Sequence, residues 1–158
     1  MTQSFKIGVD CTGISVVFAC HDGNGKFLLH KRSQNCRDEQ GRWDFGGGKL
    51  EFSESLSEGV KREAREEYGC EVIIEEALYP QQLFRELADG TKTHWIYFPH
   101  IVRVNPVDVI IGEPHSMDEI GWFALDNLPQ PLHSAIPPFI EGFKSEFAKY
   151  SNYENTNS

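Results

Sequence analysis

The chain contains no apolar run approaching ~18 residues, so nothing in it reads as a helix that crosses a membrane. Its opening residues, MTQSFKIGVDCTG, lack the basic and then apolar regions of a secretory signal peptide, which makes a cytoplasmic location the expectation. Basic residues are in short supply: 15 Lys and Arg against 24 Asp and Glu give a formal net charge of −9. Binding to a nucleic-acid polymer rests on basic patches, so no such polymer and no membrane surface is expected as partner. A small phosphorylated ligand is not excluded, because a bound divalent cation reverses the local sign of charge. The cysteines Cys11, Cys20, Cys36 and Cys70 form no CxxC pair and no zinc-like spacing, and are expected to be reduced packing residues. Internal repeats and linkers are also missing, and the six His are scattered.

What is present fits one domain with a real core: 158 residues, 39% of them hydrophobic, including eleven Phe and three Trp. The expected domain spans 1–150, with the polar tail SNYENTNS, 151–158, disordered. GISVVFACHDGNGKFLLHKRS reads as two antiparallel strands, 13–21 and 26–32, around a turn at 22–25. Further strand-like runs are EVIIEEALYPQQLFREL, THWIYFPHIVRVN and DEIGWFALDNLP. Phe139, Ile140, Phe143, Phe147 and Tyr150 recur at helical spacing and predict one C-terminal helix packed on the sheet. The class is α+β, a mixed β-sheet with helices on its faces; the pattern leaves the strand order open, and the oligomeric state too, with a homodimer compatible.

The densest signal lies in GRWDFGGGKLEFSESLSEGVKREAREEYGC, residues 41–70. Ser55 and Glu58 form an S-x-x-E capping box and Gly69 fits the C-terminal cap, so a helix should run between them. Leu56, Val60 and Ala64 mark its inward stripe. At about 100° per residue, with Glu63 at zero, those three fall near roughly 20°, 60° and 100°, Glu67 near roughly 40° and Glu66 near roughly −60°. Glu67 thus sits within the apolar stripe and Glu66 on its flank. A charged helix face usually means solvent exposure, but a carboxylate aimed at a core costs several kcal/mol unless it is paired. A hard divalent cation, Mg²⁺ with Mn²⁺ as substitute, would offset that cost through oxygen ligands. The GGG at 46–48 reads as a tight turn that brings bare backbone, Gly47 included, close to a ligand.

Residues 48–70 resemble the signature of the Nudix hydrolases, G-x5-E-x7-R-E-U-x-E-E-x-G-U with U a bulky apolar residue. Gly48, Glu54, Arg62, Glu63, Glu66, Glu67 and Gly69 all match, while the two U positions hold the small residues Ala64 and Cys70. Many relatives carry Pro-Gly-Gly where this chain has Gly46-Gly47-Gly48. The resemblance implies the Nudix fold, a mixed β-sheet sandwiched between α-helices, with the motif as loop–helix–loop. It implies attack of water on a phosphorus of a nucleoside diphosphate linked to a variable group. Glu63, Glu66, Glu67 and the Gly48 carbonyl would bind Mg²⁺, one of the glutamates would activate water, and Arg62 would pair with Glu54 to hold the loop against the helix. Glu119, with Asp118 as fallback, is the expected acid on the opposite wall. Arg32, Trp43 and Gly47 are the expected substrate contacts, with packing as the competing role for Trp43. The expected substrate is a small nucleotide, foremost a nucleoside triphosphate, oxidised or not. A nucleotide sugar of the ADP-ribose type is the alternative, and a non-catalytic nucleotide-binding or regulatory module is the rival of another class.

Overall fold

The computed structural model describes residues 3–151, so the tail expected to be disordered lies, from residue 152, outside the described residues. Strands β1 (Gly13–His21) and β2 (Lys26–Arg32) form as the alternation predicts. They are followed by the short β3 (Trp43–Asp44) and β4 (Gly46–Lys49), then helix α1 (Leu56–Tyr68). Strands β5 (Ile73–Ala77), β6 (Gln81–Glu86), β7 (Lys92–Arg103) and β8 (Met117–Ala124) complete one eight-stranded sheet. The chain then forms α2 (Ile136–Gly142) and α3 (Lys144–Ala148).

Alternation along the strands feeds two cores. Phe18 and Cys20 on β1, Leu28 on β2 and Val102 on β7 point to the face covered by Val60, Ala64 and Tyr68 of α1. Their neighbours Ala19, Phe27, Leu29 and Ile101 point to the opposite face, covered by Ile136, Phe139 and Phe147 of α2 and α3. The sheet is therefore sandwiched between helical layers, and it is mixed because β1 runs parallel to β7 while the other pairings are antiparallel. Phe18, Phe27 and Phe147 are essentially inaccessible to solvent, and truncating any one to Ala would cost about 3–5 kcal/mol.

Two expectations are corrected. The C-terminal helix is two short helices broken at Phe143 (φ −122°, ψ 33°), which follows Gly142, a weak helix former. The break lets the rings of Phe143 and Phe147 both pack edge-on against Phe139. The three glycines at 46–48 belong to a strand and pair with 16–18 of β1, rather than forming a turn. Glycine is required there by proximity. An added Cβ would lie 2.3 Å from the Phe18 ring at position 46, 2.7 Å from the Val16 carbonyl at 47 and 2.2 Å from the Glu63 carboxyl at 48.

The exchange of partners along β1 makes the site. β2 meets β1 at only one register pair, His21 with Phe27, and β4 takes its place along 15–18. A cleft of about 300 Å³ opens there, lined by Val16 and Val17 of β1, His30 and Arg32 of β2, and Gly46–Lys49.

Candidate active site

Helix α1 is delimited as its sequence dictates. The Ser55 side chain accepts from the Glu58 amide at 3.1 Å, and the Glu58 carboxylate accepts from the Ser55 amide at 2.9 Å. Gly69 ends the helix in the left-handed conformation (φ 63°), its amide bonded to the Arg65 carbonyl. With the helix held in that frame, Glu63 and Glu67 are buried and Glu66 is half-exposed.

Arg62 gathers the carboxylates around it. Its Nε and Nη2 donate to the two oxygens of Glu54 at 2.6 and 2.9 Å, and Nη2 also reaches the Lys49 carbonyl at 3.1 Å. Its Nη1 donates to Glu63 at 2.8 Å and to Glu66 at 3.3 Å. The forked pair with Glu54 ties loop 50–55 to the helix, and these bonds hold the Glu54 carboxyl below the usual range.

Glu67 is different. Burial first, then the charges of Glu63 and Glu113, push its carboxyl well above the usual range. Its hydrogen-bond support is weak: the Gly47 amide donates to its two oxygens at 3.3 and 3.4 Å. Glu63 is raised as well, by burial ahead of the opposing Arg62 interactions. Among the described residues no three His, Cys, Asp or Glu side chains converge into a ready-made cation cage. Glu63 and Glu66 converge on the Arg62 guanidinium instead, so in this arrangement the positive charge between the acids is arginine. The donors nevertheless suit a hard cation: carboxylate oxygens raised by burial, beside a glycine strand that leaves room for Glu63.

Of the two glycines, it is Gly47 rather than Gly48 whose backbone faces Glu67. The Leu50 amide bonds to the Ile14 carbonyl at 3.0 Å, and hydrogen-bonded pairs alternate along an antiparallel ladder. Gly48, in register with Val16, therefore turns its amide and carbonyl toward β1. Gly47 turns its own outward, as its bond to Glu67 records.

The acid expected on the opposite wall is not among the residues that line the cleft. Glu119 is exposed on β8 in register with Lys31, Asp118 is exposed beside it, and neither lines the cleft. The acid whose charge bears on both Glu63 and Glu67 is Glu113. It is carried there by Gly112, whose amide bonds the Glu67 carbonyl at 2.8 Å and where a Cβ would lie 2.2 Å from the Glu66 carbonyl. No local pattern distinguishes Glu113, because its position depends on how the segment after β7 docks on the end of α1.

Of the expected substrate contacts, Arg32 and Gly47 line the cleft, as do Gly48 and Glu67 from the expected cation ligands. Trp43 does not: it is buried edge-on against Phe123, with ring centroids 5.2 Å apart. It acts through its backbone, whose carbonyl accepts from the His133 amide at 2.8 Å and so fixes His133 at the cleft. Asp44, His30 and His133 are among the polar cleft residues that pattern reading missed; Asp44 alternates with the buried Trp43 and Phe45, a signal that could have found it. Burial lowers His30 to about 4, so it is neutral near pH 7, with its Nδ1 2.6 Å from the Tyr68 hydroxyl. Of the cysteines, Cys20 and Cys70 are buried as expected, Cys36 is partly covered and Cys11 is exposed; all four are free.

The NUDIX domain family matches residues 12–143. The chain is 41% identical over 131 residues to a CTP pyrophosphohydrolase of Escherichia coli, a match covering 82% of this chain and 90% of that protein. It is 30% identical over 114 residues to an RNA pyrophosphohydrolase of Teredinibacter turnerae, covering 64% of each. A MutT NUDIX hydrolase from Burkholderia pseudomallei superposes with a TM-score of 0.67 at 30% identity, over 82% of this chain and 96% of that one. Helix α1 with its capping box, its Arg62–Glu54 fork and its buried glutamates lies within the matched span, and the chain belongs to the NUDIX hydrolase family.

Proposed function

We propose that the protein is a divalent-cation-dependent pyrophosphohydrolase of nucleoside triphosphates, releasing the nucleoside monophosphate and pyrophosphate. One observation carries this reading. Glu67, whose carboxyl burial pushes well above the usual range, lines a cleft also lined by Leu83, Trp95, Tyr97 and Phe139, which suit an aromatic base. The similarity to a CTP pyrophosphohydrolase supports a nucleoside triphosphate over other diphosphate-linked substrates.

The residues divide the work. Glu63, Glu66 and Glu67, with the outward Gly47 carbonyl and Glu113, would hold Mg²⁺ or Mn²⁺, which neutralises charge developing on the phosphoryl oxygens. Arg62, locked on Glu54, orients Glu63 and keeps loop 50–55 against the helix. One of these glutamates would accept the proton of the attacking water. The apolar end of the cleft holds the base and excludes water from that side of the substrate.

The test is a screen of nucleoside triphosphates, nucleotide sugars and 5′-triphosphorylated RNA with Mg²⁺, reading pyrophosphate and phosphate. Turnover of a free triphosphate, abolished by excess chelator and restored by Mg²⁺ or Mn²⁺, is the expected result. Full turnover in chelator refutes the cation, and faster processing of RNA ends or ADP-ribose than of any free triphosphate refutes the substrate.

A further inference from the structure

We propose that Asp44 is the specificity-determining residue of the cleft. It accepts the exocyclic amino group of the base, with Arg32 donating to the adjacent ring nitrogen, so that cytosine is taken and uracil rejected. This rests on the reading of the cleft as a nucleoside triphosphate site and adds how it tells the amino pyrimidine from the oxo pyrimidine.

The argument starts from unused hydrogen-bonding capacity. Asp44 Oδ1 accepts the Phe45 amide at 2.9 Å and is committed to the backbone. Oδ2 has only long contacts, 3.4 Å to Arg32 Nη1 and 3.9 Å to His133 Nε2. A carboxylate oxygen accepts two good hydrogen bonds, so Oδ2 has room for a donor. Its side chain is only 20% exposed and lines the cleft, where water competes poorly for that place.

Arg32 is the complement. Its Nε and Nη2 are committed to Asp38, at 3.2 Å and 3.1 Å to the carbonyl and 3.1 Å to the carboxylate. Its Nη1 has only the 3.4 Å contact to Asp44, which leaves a donor beside the open acceptor. Asp38 is in turn held by Arg85 at 2.9 Å, so the guanidinium has a fixed plane rather than a mobile one. His133 reinforces the polarity. Its Nδ1 accepts the Ala135 amide at 3.0 Å, which assigns the proton to Nε2, the atom facing Asp44. His30, neutral near pH 7, brings no competing charge.

The wall thus presents an acceptor next to a donor. Cytosine carries the matching edge, an amino N4–H beside the N3 lone pair, and adenine carries the same pair at N6–H and N1, so the wall selects an amino edge over an oxo edge. Uracil carries the reverse: its O4 would face a carboxylate and its N3–H a guanidinium, leaving each group unpaired in a half-buried place. Guanine would need both carboxylate oxygens for its N1–H and N2–H, and Oδ1 is already taken by Phe45. A site built to bond a particular polar edge rejects an analogue lacking it far better than an apolar slot discriminates by size.

The experiment compares kcat/KM for CTP and UTP in the wild type and in Asp44→Asn, with equilibrium binding of CMP and UMP to the wild type measured by calorimetry without divalent cation. The Asn side chain keeps an oxygen for the Phe45 amide and places an NH₂ where Oδ2 was. CTP is expected to be favoured over UTP by about 100-fold or more in the wild type. In Asp44→Asn that preference should fall below about 10-fold or invert, chiefly through KM, with UTP gaining as CTP loses. CMP should bind the wild type more tightly than UMP. Equal turnover of CTP and UTP, equal binding of CMP and UMP, or a folded Asp44→Asn that keeps the wild-type ratio would each overturn the assignment. Should the variant fail to fold, the monophosphate ratio on the wild type decides. A wild type that turns over no nucleoside triphosphate refutes the proposed function, and the monophosphate ratio still separates that failure from a failure of Asp44.

Discussion

Replacing Glu67 by Gln keeps the side-chain shape, removes one charge and retains an acceptor for the Gly47 amide. In the metal-free protein the ionised Glu67 is buried next to the charges of Glu63 and Glu113, and its existing bonds at 3.3 and 3.4 Å compensate little. Relieving a buried, unpaired charge should therefore stabilise the metal-free variant by on the order of 1 kcal/mol. For a chain of this size that corresponds to a rise in Tm of about 2–4 °C. The sign with pH follows from linkage. The folded-state value of Glu67 is raised, so the parent loses stability as pH climbs from the unfolded carboxylate value, about 4.3, through the higher folded value. The advantage of Glu67→Gln should be full above the folded value and gone below about pH 4. With Mg²⁺ the parent should gain stability and the variant less, and kcat should fall more than about 100-fold, beyond the usual loss of a supporting residue. The assays are thermal melting in chelator and in Mg²⁺ at several pH values, beside turnover. A variant that is strongly destabilised without metal yet hydrolyses normally would show that Glu67 is a structural residue and that the site is misassigned.

Arg62→Lys removes the fork on Glu54 and the simultaneous hold on Glu63; kcat should drop about 10–100-fold with Mg²⁺ affinity changed much less, and unchanged kinetics would show that the fork does not position the loop. Gly48→Ala places a methyl 2.2 Å from the Glu63 carboxyl, whose flexible end can swing away. Turnover should therefore fall steeply while Tm changes by no more than a few degrees, and full activity would separate Glu63 from the chemistry.

Helix α1 was legible residue by residue because everything that defines it is local. The Ser55–Glu58 box, the Gly69 cap and the placement of Glu67 within the apolar stripe follow from backbone hydrogen bonding and a fixed angular step. The hairpin of β1 and β2 was equally legible, since alternation and the turn at 22–25 lie within one short stretch. The Arg62–Glu54 fork came from the family resemblance, and loop 50–55 carries it out at short range.

Only the tertiary structure decided the rest. The glycine run looks like a turn in isolation and becomes a strand because β1 supplies partners and Phe18, Val16 and Glu63 leave no room for side chains. Ladder alternation then chooses Gly47 over Gly48 as the backbone facing Glu67, a matter of register that no motif encodes. The charge of Glu113 bears on Glu63 and Glu67 because the segment after β7 docks on the end of α1 through Gly112. The cleft joins Asp44, Arg32 and His133 from three separate parts of the chain, where β1 exchanges β2 for β4. Local hydrogen bonding and periodicity are written in consecutive residues. Which acids and glycines meet is set by strand pairing and docking across long sequence separations, and it emerges only when the sheet has closed.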